Sequence, residues 1–147
     1  FCHRIAAELP HRFSAIATVG SSVPDSVAIY NKNPMPVKVL LIHGTDDKVV
    51  DYAGKHGGYF SAMDSYKFWK NNDALEETIT TIDRDKKDIT SLNILTSGSG
   101  YTSLLTVVNG GHTWPGADDF NIGLPIGLTS KEININEYIW NFFERLE

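Results

Sequence analysis

Apolar residues in this chain fall into two patterns. Mostly apolar runs closed by glycine, proline or asparagine predict buried strands over residues 13–19, 37–42 and 101–108. The strongest is Val37-Lys38-Val39-Leu40-Leu41-Ile42, which is β-branched and nearly unbroken, as in strands covered on both faces. Thr78-Ile79-Thr80-Thr81-Ile82 alternates and predicts another strand, and residues 91–95 are compatible with a further short one. Apolar positions three or four apart predict helices. One covers residues 1–9 (Phe1, Ile5 and Leu9, beside Cys2 and Ala6) and is ended by Pro10. A second covers residues 59–70 and stops at Asn71-Asn72. A third follows the caps offered by Thr129-Ser130-Lys131-Glu132, with Ile135, Ile139, Phe142 or Phe143 and Leu146 on one face. Trp69 and Trp140, on helical faces, read as core. Loops are expected over 25–36, 52–58 and 117–128, with a charged turn over 83–88.

Strands alternating with helices predict an α/β fold, a mostly parallel sheet flanked by helices. Three strands end in glycine turns, at Gly20, Gly44 and Gly110-Gly111, which share one edge if those strands are parallel. With 147 residues, 41% of them hydrophobic, the chain can bury a core as a single domain or as part of one. The formal net charge of -5 leaves no basic footprint, so nucleic acid is not an expected partner. No apolar run approaches the ~20 residues of a membrane span. One cysteine, Cys2, excludes an internal disulfide and a cysteine-built metal centre. Neither initiator methionine nor capping residue precedes the first helical face. The chain therefore reads as starting inside a helix, the carboxyl-terminal portion of a longer protein.

The candidate chemistry lies in two loops. Asn109-Gly110-Gly111-His112-Thr113-Trp114-Pro115-Gly116 sets a histidine at the carboxyl end of a strand. Reactive groups of open α/β sheets gather there, and a histidine takes and returns a proton near neutrality. Spacing alone fits a loop histidine without a role equally well. His43-Gly44-Thr45-Asp46-Asp47 follows the strongest strand and supplies an acid. Acid before histidine is the order of two thirds of an α/β-hydrolase triad, Ser then Asp then His. No G-x-S-x-G elbow is present; the nearest approach is Gly20-Ser21-Ser22-Val23-Pro24. Ser21 or Ser22 enters as nucleophile only if the chain is complete. Otherwise the serine and both oxyanion-hole amides lie upstream of Phe1. The histidines have no zinc-ligand spacing, so neither metal nor cofactor is expected.

Three stretches carry a resemblance. His43-Gly44-Thr45-x-Asp47-x-x-Val50-x-Tyr52, the Gly110–Gly116 string, and the terminal Ile133, Asn134, Glu137, Ile139, Trp140, Phe142 and Phe143 resemble the polyhydroxybutyrate-depolymerase-like esterases. That family overlaps the feruloyl and acetylxylan esterases of carbohydrate esterase family one. Cys2 to Ala17 resembles the stretch after the family's Ser-x-Gly-Gly elbow. The resemblance implies a partial α/β-hydrolase domain over residues 1–147, with Asp47 as catalytic acid and His112 as base. Asp46 is taken as the exposed neighbour. It further implies a serine esterase, inactive as this fragment. Its substrate would be feruloyl or acetyl esters of plant polysaccharide, or alternatively a hydroxyalkanoate polymer. The family's export implies a secreted or periplasmic protein. Trp114, His43 and Tyr52 are candidate substrate contacts. For Trp114 the other reading is a wedge in the loop; for His43 it is a hydrogen-bonded structural histidine. A departure from the pattern, Gly57-Gly58 coming late after Tyr52, touches the adjacent loop. A non-catalytic binding relative of the fold is the reading from a different class.

Overall fold

The computed structural model describes residues 1–31, 35–71, 73–82, 89–119 and 123–145. The charged turn expected over 83–88, and Asn33, Pro34, Asn72 and Leu146, lie outside these residues. Five strands form one sheet: β1 (Ala15–Val19), β2 (Lys38–Gly44), β3 (Thr78–Ile82), β4 (Ser91–Thr96) and β5 (Thr102–Val108), in the order β1-β2-β5-β4-β3. β1 to β2 and β2 to β5 are parallel; β5 to β4 and β4 to β3 are antiparallel. The expected mostly parallel sheet is thus corrected to a mixed one of α/β class. The short Ser97–Tyr101 connection forces the change, since a tight turn returns β5 alongside β4.

Among the described residues four α-helices accompany the sheet: α1 (Cys2–Glu8), α2 (Asp25–Tyr30), α3 (Ala62–Lys70) and α4 (Ile135–Glu144). The pleat of β2 and β5 sorts their side chains into two layers. Val39, Leu41 and Leu104 pack with Ala6, Ala7, Val27, Tyr66 and Trp69 from α1, α2 and α3. Leu40, Ile42, Leu105 and Val107 pack with Ile135, Tyr138, Ile139 and Phe142 from α4. This two-sided cover explains why β2 reads as an unbroken apolar run. β1, at one end of the strand order, alternates between buried and half-buried instead.

Several boundaries differ from the sequence expectation. Residues 25–30 form α2, not loop: the amides of Val27 and Ala28 bond to Pro24 O, and Val27 is buried. Six residues are too few to show a period. α3 begins at Ala62, because Ser61 Oγ accepts from Asp64 N and Tyr59 is tied to Lys55 and Pro24 as extended backbone. α4 is capped by Asn134, which accepts from Asn136 N, not by the 129–132 stretch, where Ser130 and Glu132 are buried. Trp69 is core, but Trp140 is 64% exposed, one residue round the helix from the half-buried Ile139 that packs on the sheet. Among the described residues no helix is long and apolar enough to cross a membrane.

Candidate active site

Because β1, β2 and β5 are parallel neighbours, their carboxyl ends share one edge. Gly20, Gly44 and Gly110-Gly111 meet there, and glycine is what permits the meeting. A Cβ on Gly44 would enter the backbone of Gly110 and Gly111, and a Cβ on Gly111 would enter Ile126 and Gly127. The two loops are stitched by Asp46 N to Gly110 O at 2.9 Å and Thr45 N to Val107 O at 3.0 Å. Asn109, at φ 59, donates its backbone N–H to Thr45 Oγ1. His112 N donates to Ile126 O at 2.6 Å, and Gly111 N to Leu128 O at 2.9 Å, so the loop after His112 folds back to support it.

This packing brings Asp47 and His112 together. His112 Nδ1 lies 2.8 Å from Asp47 Oδ2. A carboxylate oxygen only accepts, so Nδ1 carries the proton and Nε2 remains as the acceptor of the neutral ring. The other carboxylate oxygen, Oδ1, accepts from Val49 N at 2.9 Å and Val50 N at 2.8 Å. Asp47 is 3% exposed, while the His112 side chain is 34% exposed. The acid is therefore sequestered and the base reachable. Asp46 is the exposed neighbour and pairs with Lys48.

His112 lines a cavity of about 440 Å³ with Val19, Gly20, Thr113, Trp114 and Ile126. Trp114 is 44% exposed, and its indole N–H is held by Asn136 Oδ1 at 3.0 Å, so the ring is fixed at the cavity wall. The other two candidate contacts lie elsewhere. His43 is buried behind Asp47, with Nε2 2.8 Å from Val50 O. Tyr52 bonds through its hydroxyl to Thr106 and packs edge-on against His43. Neither lines the cavity.

Comparison with protein-family models and with curated proteins finds no match to this chain.

The residue that sequence reasoning passed over is Gly20, read only as a turn. At φ 59, its N–H donates to Ile42 O, and a Cβ there would stand 2.8 Å from His112 Nδ1 and 3.4 Å from Asp47 Oδ2. Gly20 is the floor under the Asp47–His112 hydrogen bond. A glycine closing a strand was visible in the sequence; what it faces was not. Among the described residues no serine hydroxyl bonds His112, and Ser22 Oγ is buried without a partner. No group of three metal-binding side chains converges among the described residues.

Proposed function

We propose that Asp47 and His112 are the acid and base of a serine esterase of the α/β-hydrolase type, whose nucleophile lies outside residues 1–147. One observation carries this reading: the bond from His112 Nδ1 to a buried, doubly amide-bound Asp47, beside a cavity at the carboxyl ends of parallel strands. The resemblance of the sequence to the polyhydroxybutyrate-depolymerase-like and feruloyl esterases supports it.

In that chemistry His112 Nε2 takes the proton of the serine hydroxyl as its oxygen attacks the ester carbonyl. Asp47 holds the ring and stabilises the imidazolium. The imidazolium returns the proton to the departing alkoxide, leaving an acyl-enzyme. Water then repeats the cycle, giving its proton to Nε2, and the serine is released. The half-exposed Trp114 at the cavity wall offers a flat apolar face to a feruloyl or sugar ring. That favours esters on plant polysaccharide, with hydroxyalkanoate polymer as the alternative. The family's habits make the protein secreted or periplasmic.

The test has two parts. The coding sequence upstream of Phe1 should hold a Ser-x-Gly-Gly elbow. The full-length protein should hydrolyse methyl ferulate or hydroxybutyrate oligomers, and His112→Ala should abolish this. Residues 1–147 alone should not turn over p-nitrophenyl acetate. An elbow without serine, or a full-length protein without turnover, replaces the enzyme with a binding protein of the same fold; turnover unaffected by His112→Ala removes His112 as the base.

A further inference from the structure

His43 is the penultimate residue of β2 and is 1% exposed. Its Nε2 lies 2.8 Å from Val50 O. A carbonyl only accepts, so the proton sits on Nε2, and the ring's other nitrogen is bare. Nδ1 is indeed buried with no hydrogen-bond partner. Tyr52 closes the ring's flank edge-on, at 5.5 Å between centroids, and is itself tied to Thr106 on β5. The same Nε2 stands 3.4 Å from Asp47 Oδ2, the oxygen that receives His112 Nδ1.

Val50 therefore works from both ends. Its carbonyl is held by His43, and its amide, with that of Val49, grips Asp47 Oδ1. This segment needs such an anchor. Asp46, Lys48 and Val49 face solvent, and the Asp46–Lys48 ion pair is exposed. The bonds from Thr45 N and Asp46 N to Val107 O and Gly110 O hold the start of the turn, and His43 holds its far end at Val50.

We propose that His43 is the positioning residue of the Asp47–His112 pair: its Nε2–H, reaching Val50 O and standing against Asp47 Oδ2, fixes the plane of the carboxylate and thereby the direction of His112. Its effect on turnover rests on the esterase reading; its effect on geometry does not.

The experiment is ¹H–¹⁵N NMR of the chain, following the His112 Nδ1-bound proton in wild type, His43→Phe, His43→Asn and His43→Gln. Glutamine sets its amide nitrogen near the imidazole Nε2 position, whereas asparagine reaches only the Nδ1 position. The His112 signal should be lost in the Phe and Asn variants and kept in the Gln variant. A folded Phe variant, judged by near-ultraviolet circular dichroism, that retains the signal overturns the proposal. So does a folded Gln variant that loses it. Should the Phe variant fail to fold, equal signals in Asn and Gln also overturn it. In the full-length esterase, His43→Asn should lower kcat by up to about 10²-fold, the cost of a small misplacement, with KM little changed and with recovery in His43→Gln. An inactive wild-type enzyme defeats the esterase reading and leaves the NMR result to decide the positioning role.

Discussion

The Asp47 carboxylate accepts from two backbone amides on one oxygen and from His112 on the other. An amide in its place cannot satisfy both sides without altering its partner. In Asp47→Asn the oxygen stays with the Val49 and Val50 amides, and the NH₂ faces His112. Nδ1 must then accept, the ring proton moves to Nε2, and the base is lost. On the proposed esterase reading, the expected result is a kcat lower by about 10⁴-fold in the full-length protein with the fold intact, as wrong-tautomer variants of Ser-His-Asp triads behave. Steady-state kinetics beside a circular dichroism spectrum check both halves. Gly20→Ala tests the floor of the site. A left-handed φ of 59 disfavours any side chain, by about 1–2 kcal/mol. The methyl would also push on His112 Nδ1. Urea unfolding should show the lost stability, and the Nδ1-bound proton signal should shift or vanish. At this scale the two candidate catalytic residues were legible, because glycine turns after apolar strands mark loop ends. The neighbours of those turns were not, since Gly20 and His112 lie far apart in sequence.

Elements were legible where burial left a period. β2 and β5 are covered on both faces and read as mostly apolar runs without a period-2 alternation. α4 shows its apolar side through Ile135, Tyr138, Ile139 and Phe142. Boundaries were decided by single hydrogen bonds that the apolar pattern does not encode. Ser61 Oγ to Asp64 N starts α3, and the reciprocal Ser61 hydroxyl to Asp64 Oδ2 bond at 2.7 Å closes the cap. Ser61→Ala should therefore lower stability by about 1 kcal/mol, seen as an earlier urea midpoint at unchanged slope. Asn134→Ala removes the equivalent acceptor from α4, and a loss of similar size, about 1 kcal/mol, is expected. α2 escaped the pattern because its one buried apolar anchor, Val27, makes no repeat.

At the scale of the whole molecule, His3 ties α1 to α3 across the core: Trp69 donates to its Nδ1 at 3.1 Å, and the rings stack. Burial lowers the His3 pKa from 6.5 to about 4. Between those values the unfolded chain binds a proton that the folded chain does not, so stability falls as pH drops from 6.5 towards 4 and levels off below. The loss attributable to His3 is roughly 3 kcal/mol over that window. Urea unfolding at a series of pH values should show this slope, and His3→Gln should flatten it.

By itself the sequence determined the alternation of apolar strands and amphipathic helices, the glycine turns at the strand ends, and a histidine and an acid in two of those turns. These are local: each is written in spacing of a few residues. Only the tertiary structure decided that the sheet is mixed, that Gly20 underlies Asp47 and His112, that Trp114 faces the cavity, and that His43 and Tyr52 stand behind the acid. Those outcomes depend on which strands pair and on which backbones glycine allows to touch. Such contacts join residues distant in the chain, and no local pattern records them.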